Sequence, residues 1–336
     1  MRSRWSAGLG AVWFGLILAV PPALGETAAL RVMRPADLTA LPLLVMQHEH
    51  MIERVAEQMG LGAVKVEWIT QGKTGPIEAL AAGQTDLTAA EIAPFVIAAD
   101  NTAGTPGEVR GLAALAERPY VLVARKAGIA TIRDFHAGDH IAVPALKTSG
   151  PALMLEMAAA QEWGVEHHDK LDALLVARPD DAASDALQSG KGNLDAHFSQ
   201  PPYSDDELAS PGIHRVMDSF DIAGPHSAAA LAMTARFHDS NPKLCVAILA
   251  ALEQADDLIK NKPGSAAEIY ASVAKDQDVA VEDLTDMIGD PDLAYRTAPS
   301  GLMRLAEFMH RLGRLKRKPG SWKDLFFPEA RDLPGS

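Results

Sequence analysis

Two short stretches carry lysine, hydroxyl, glycine and proline in the same order: Lys73-Thr74-Gly75-Pro76 and Lys147-Thr148-Ser149-Gly150-Pro151. Each follows a strand-like run and precedes a helical one. Proline is tolerated in the first turn of a helix, glycine permits close backbone approach, and threonine or serine caps the helix. The N–H groups left free at such a start, with a lysine beside them, form a cradle for a small anion. The plainer reading is a pair of ordinary capped turns with solvated lysines. Their matched placement, one in each half of the chain, favours contact with a ligand. Glu91 opens another helical stretch, where it either holds a ligand ammonium or suits the positive end of the helix. His197 ends a strand-like run facing the expected cleft, and nearby Phe198 and Tyr203 offer rings to an organic ligand or to the core.

Other chemistry is sparse. Cys245 is the only cysteine, so no intramolecular disulfide exists, and its apolar helical setting (Leu244 to Leu252) makes it a buried small hydrophobe. His48 falls on the apolar face of a helix expected over Leu41–Met59 and reads as a core histidine. His50, two residues on, faces elsewhere, so the two make no metal pair. The Arg311–Lys318 stretch holds five basic residues in eight and complements a helix C-terminus, with a docking contact as the alternative. No nucleophile elbow, metal-ligand cluster or complete phosphate-binding fingerprint occurs. No catalytic residue, metal or cofactor is therefore expected.

The elements that must position these residues alternate. Strands are expected at Leu30–Met33, Val64–Ile69 and Asp86–Ala89, with helices at Leu41–Met59, Pro76–Ala82 and Pro94–Ala99. A second series runs Tyr120–Ala124, Ile141–Val143, helix Ala152–Trp163, Ala173–Val176, helix Asp181–Gln188 and Leu194–Phe198. Ala228–Thr234 reads as a strand returning to the first unit, and the remainder is helical, with long segments at Pro242–Ile259 and Gly301–Leu312. Such alternation predicts an α/β fold of two lobes, each a mostly parallel sheet flanked by helices, with a helical C-terminal part. Lobe 1 spans 26–118 and 224–336, and lobe 2 spans 119–223. The chain crosses twice, near Arg118–Tyr120 and Ala223–Ala228. Ligands of open α/β sheets bind beyond the carboxyl ends of the strands, which places the cleft.

Arg2 and Arg4 precede a run of 14 uncharged, mostly apolar residues from Ala7 to Val20, then Pro21-Pro22 and the small residues Ala23 and Gly25. That pattern is a secretory signal over 1–25, too short for a membrane anchor, with cleavage expected before Glu26 and a periplasmic product. Residues 1–25 hold two of the 31 Lys+Arg and none of the 44 Asp+Glu, leaving 29 against 44, or −15. Such acidity disfavours nucleic acid and anionic membrane as partners.

Residues 30–330 resemble the nitrate/sulfonate/taurine-type substrate-binding proteins of ABC importers, related to thiamine-precursor-binding proteins. The resemblance is carried by Ile77 to Asp86 with Glu91-Ile92-Ala93-Pro94, by Ile141 to Gly164, and by Gly192 to His197 with Pro201-Pro202. Asn241-Pro242, Leu258 to Pro263 and Pro319 to Asp324 extend it. It implies a two-lobed type II periplasmic-binding fold and a monomer that carries a small organic anion (sulfonate, taurine-like, nitrate or carboxylate) to an ABC permease. Family binding residues lie after the first strands of each lobe. The ligand candidates are therefore Asp37 and Thr39, Gly72, Lys73 and Thr74, Glu91, Lys147, Thr148 and Ser149, and His197 and Ser199. The loop Arg34 to Thr39 differs from the short glycine-containing loop of sulfonate binders, which leaves the ligand class open. A sensory binding protein is the alternative role. An enzyme resembling thiamine-precursor synthases is disfavoured, because those carry a cysteine-rich iron motif.

Overall fold

The computed structural model describes residues 26–35, 37–72, 74–274 and 279–336. The signal expected over 1–25 and the candidate Lys73 lie outside the described residues.

The first half builds β1 (Ala29–Arg34), α1 (Leu41–His48), α2 (Met51–Gln58), β2 (Lys65–Thr70), α3 (Pro76–Ala81), β3 (Leu87–Glu91), α4 (Ile92–Thr102) and β4 (Val109–Glu117). A second unit follows: β5 (Val121–Ala124), β6 (Ile141–Val143), α5 (Gly150–Trp163), β7 (Leu175–Ala177), α6 (Asp180–Ser189), β8 (Ala196–Ser199), α7 (Tyr203–Ala209), β9 (His214–Asp218) and α8 (Ser219–Ala223). The chain returns through β10 (Ser227–Thr234) to α9 (Ala235–Ser240), α10 (Pro242–Asn261), α11 (Pro263–Ala274), α12 (Val281–Ile288), β11 (Ala294–Tyr295) and α13 (Leu302–Arg311).

The strands form a six-stranded sheet, β11-β4-β10-β3-β1-β2, and a five-stranded sheet, β7-β6-β8-β5-β9. β1 pairs in parallel with β2 and β3, and β6 does so with β7 and β8. The strands next to the crossings, β4, β5 and β10, pair antiparallel with their neighbours, because the chain enters and leaves each unit there. The two crossings are tied side by side through Ser219: Tyr120 N donates to Ser219 Oγ at 2.8 Å, Ser219 N donates to the Tyr120 carbonyl at 2.9 Å, and the same Oγ lies 3.0 Å from Nε2 of His226 on the second crossing.

Each unit has an apolar core. On α10, Leu244, Ala247, Ile248, Ala251, Leu252, Ala255 and Ile259 recur at three- and four-residue spacing and are all buried, as one face of a helix on a sheet requires. A second cluster joins Phe95 and Val96 of α4 to Leu122, Ile141 and Leu153 of the other unit. Cys245 is buried in the first core, with its thiol donating to Met233 Sδ at 3.6 Å.

The helix expected over Leu41–Met59 is broken. His50 takes a left-handed backbone (φ 49°), so α1 and α2 are separate. His48 is not a core histidine either: its ring is half-exposed and pairs with Glu49 at 2.9 Å. Strand β4 was not expected at all. Its Gly111 lies under the Phe326 ring, where a Cβ would collide, and Gly111 bonds to the Leu325 carbonyl and the Phe327 N–H, each at 2.9 Å. The C-terminal tail therefore lies along β4. Among the described residues, no helix is long and apolar enough to cross a membrane.

Candidate functional site

The carboxyl ends of β1, β2, β3, β6, β7 and β8 converge on one cleft of about 930 Å³ between the sheets. Past β1, Asp37 caps a short turn by accepting from Thr39 N at 2.8 Å, which sets Thr39 on the wall. Gln71 and Gly72 follow β2, and Glu91 ends β3. From the other unit come Pro144 and Ala145 past β6, then Thr148 and Ser149, Asp180 and Asp181 past β7, and Gln200 and Tyr203 past β8. Ser149 caps α5 as expected, accepting from Ala152 N at 3.4 Å.

At the centre stands Arg118, on the first crossing and 2 % exposed. Its Nε donates to Thr39 Oγ1 at 2.7 Å, one Nη donates to Gln200 Oε1, and Nη1, itself buried, has no hydrogen-bond partner. The guanidinium also lies 5.0 Å from the Tyr120 ring centre. Gln200 in turn donates to Asp180 Oδ2 at 2.8 Å. Asp180 Oδ1 is 3.2 Å from His197 Nε2, and His197 Nδ1 is 2.7 Å from Glu207 Oε1. A continuous polar chain thus runs from Glu207, inside the second unit, through the cleft wall to Thr39 in the first. Burial alone would lower the His197 pKa, but the hydrogen bonds and charges of Asp180 and Glu207 outweigh it and raise it from 6.5 to about 9. The ring is therefore an imidazolium between two carboxylates.

Glu91 reaches across the cleft. Its Oε2 accepts from Gly150 N, the first residue of α5, at 3.2 Å. Burial pushes the Glu91 carboxyl above the usual carboxylate range, opposed by the Gly150 N–H and by Arg118. Gly150 must be glycine for packing, because a Cβ there would meet the Tyr120 ring.

Of the residues expected from sequence, Asp37, Thr39, Gly72, Glu91, Thr148 and Ser149 line the cleft. The others stand apart. His197 is fully buried behind Asp180, because its two ring nitrogens are taken by carboxylates. Ser199 is fully buried beside it in β8, with a hydroxyl that has no partner. Lys147 points to solvent, its Nζ 3.9 Å from Asp172, because its left-handed backbone (φ 63°) turns the side chain off the wall. Thr74 is exposed and caps nothing, since the cap of α3 is Gly75, over which the Glu78 carboxylate folds. At the α5 start, the anion cradle expected from sequence is met by a carboxylate of the protein itself, that of Glu91. Arg118, Asp180 and Gln200 were missed. An arginine between an apolar run and Pro119, at the expected hinge, was the available signal for Arg118. Among the described residues, no group of three or more His, Cys, Asp or Glu is placed to hold a metal ion.

Two α/β units facing a cleft of small-molecule size, with the chain crossing between them twice, define a periplasmic-binding fold. The chain belongs to the NMT1-like family, whose model matches residues 26–274. No curated protein matches it in sequence. Among solved structures it is similar to the periplasmic aliphatic sulphonate-binding protein of Escherichia coli (18 % identity, 90 % of this chain and 92 % of that one, TM-score 0.68). The alkanesulfonate-binding protein of Xanthomonas axonopodis pv. citri, bound to MOPS, matches at 18 % identity over 87 % and 96 % of the two chains, with TM-score 0.66. The periplasmic nitrate-binding protein of Synechocystis PCC 6803 matches at 16 % identity over 89 % and 84 %, also with TM-score 0.66. The two-lobed fold with its helical C-terminal part, expected from the resemblance, is shared with all three.

Proposed function

We propose that the protein is the extracytoplasmic binding component of an ABC importer, exported by residues 1–25 and working as a monomer. Lobe 1 (26–118 and 224–336) and lobe 2 (119–223) close on a small organic solute and present it to a membrane permease. The observation that carries the ligand reading is Arg118: a buried guanidinium on the cleft wall, held by Thr39 and Gln200, with one nitrogen, Nη1, unpartnered. An unmade charged hydrogen bond in a buried site is costly until a ligand oxygen completes it. A sulfonate, carboxylate or similar oxyanion suits that donor, because charge-assisted bonds are roughly twice as strong as neutral ones. The volume of about 930 Å³ leaves room for an organic body beyond the head group.

A thermal-shift panel of small sulfonates, carboxylates, amines and neutral solutes tests this, followed by calorimetric titration of the best binder. Arg118→Met is expected to lose about 1.5–3 kcal/mol, or roughly 10–150-fold in affinity. A neutral compound as the tightest ligand, or full affinity in the variant, would refute the assignment of Arg118.

A further inference from the structure

Helix α5 runs 14 residues, and its N-terminus faces the cleft from the second unit. A helix start with free N–H groups attracts an anion. Here the anion is supplied from the opposite wall, since Glu91, in the first unit, accepts from Gly150 N at 3.2 Å. An oxyanion arriving at α5 must therefore displace a carboxylate that is already bonded there. The rest of the wall adds to the difficulty. Among the described lining residues, the charged groups are the carboxylates Asp37, Glu78, Glu91, Asp180 and Asp181, and the single guanidinium of Arg118. Asp180 is engaged by His197 and Gln200, whereas Glu91, bonded at the α5 start, and Arg118 act on one another. A ligand that is only an oxyanion gains one donor, Arg118 Nη1, and meets a surplus of negative charge. A ligand that also brings a protonated nitrogen neutralises that surplus at Glu91.

We propose that Glu91 is the specificity residue of the cleft: its carboxylate takes the place of an oxyanion at the start of α5, so that plain oxyanions are turned away and ligands carrying a protonated nitrogen are selected. This rests on the cleft being a solute site with Arg118 as its anion donor. It separates the chain from binders of bare sulfonate or nitrate with the same fold. The Glu91–Gly150 bond joins the two units directly, so ligand nitrogen and α5 compete for one carboxylate.

The test uses matched probes that differ only in the amine: 2-aminoethanesulfonate against ethanesulfonate, and β-alanine against propionate, each titrated into wild type, Glu91→Gln and Glu91→Ala. Glutamine keeps an acceptor for Gly150 N and removes the charge, whereas alanine empties the helix start. The wild type is expected to favour the amine-bearing member of a pair by about tenfold or more, the ratio that corresponds to 1.4 kcal/mol. Glu91→Gln is expected to abolish that preference. Glu91→Ala is expected to gain binding of the plain anions, read as a thermal shift that grows with ethanesulfonate and is absent from the wild type. Far-ultraviolet circular dichroism confirms that both variants fold. A wild type that binds plain and amine-bearing members alike, or a Glu91→Gln variant that keeps the preference, overturns the proposal. So does a Glu91→Ala variant that responds to no plain anion. Failure of the solute-binding reading looks different: no compound of the wider panel would then bind, while the behaviour of Glu91→Ala toward ethanesulfonate still decides what occupies α5.

Discussion

His197 offers the sharpest stability test, because its ring lies between two carboxylates in a fully buried position. The pKa rises from 6.5 to about 9 on folding. A rise of about 2.5 units at 1.36 kcal/mol each is on the order of 3 kcal/mol of stability. The sign follows from proton binding. The folded state holds the proton more tightly, so the contribution is complete below about pH 6.5 and is lost as pH rises through about 9. His197→Gln removes the cation and leaves Glu207, whose Oε2 already lacks a partner, buried without its ion pair. Breaking a buried pair costs roughly 3–5 kcal/mol. With unfolding entropy near 2.1 cal/mol/K per residue over about 310 residues, that is a fall in Tm of roughly 5–8 °C. Thermal melts of wild type and variant from pH 6 to 10, with nitrogen NMR of the wild-type imidazole, measure both quantities. An imidazole that titrates near 6.5, or a variant melting within a degree of wild type at pH 6.5, would refute the buried imidazolium.

Two further outcomes follow from single residues. Burial, with Asp257 and Glu253 adding to it, raises Asp256 from 3.8 to about 8, and one of its oxygens has no partner. Its folded pKa is the higher one, so its contribution is lost as pH rises through about 8. Asp256→Asn is expected to raise Tm at pH 8.5 and to have little effect at pH 4, as read by calorimetry. Gly150→Ala forces a Cβ into the Tyr120 ring, a collision worth about 1–3 kcal/mol in packed interiors. Its chemical-denaturation midpoint is expected to fall, and an unchanged midpoint would mean that the crossing is slack.

Much of the fold is legible in the chain because it is written in local periodicity. The strands at β1, β2 and β6 and the apolar face of α10 coincide with runs that read correctly from residue spacing alone. Strand β4 does not. Val109–Glu117 is alanine-rich and almost wholly buried, so it lacks the alternation of a half-buried strand. Its identity depends on Phe326, more than 200 residues away in sequence. The break at His50 likewise depends on a single left-handed residue inside a continuous helical pattern. The site divides in the same way. Glu91 and Ser149 were reachable from strand ends and caps, and Asp37 and Thr39 from the family resemblance. Arg118 acquires its role only from Thr39 and Gln200, 79 and 82 residues distant, which no spacing rule connects. Lys147 and Thr74 stand off the wall for a local reason: Lys147 has a left-handed backbone, and Gly75 rather than Thr74 caps α3.

The proposed capture of a solute requires the cleft to close by hinging at Arg118–Tyr120 and Ala223–Ala228. The most direct test is small-angle scattering of the protein from Glu26 onward, with and without a saturating concentration of the best binder from the thermal-shift panel. The radius of gyration is expected to fall on binding in the wild type, and in Arg118→Met to fall only at the roughly 10–150-fold higher ligand concentration that its weaker affinity requires. A ligand that binds with the same affinity in both proteins and leaves the radius of gyration of each unchanged would contradict capture between the lobes.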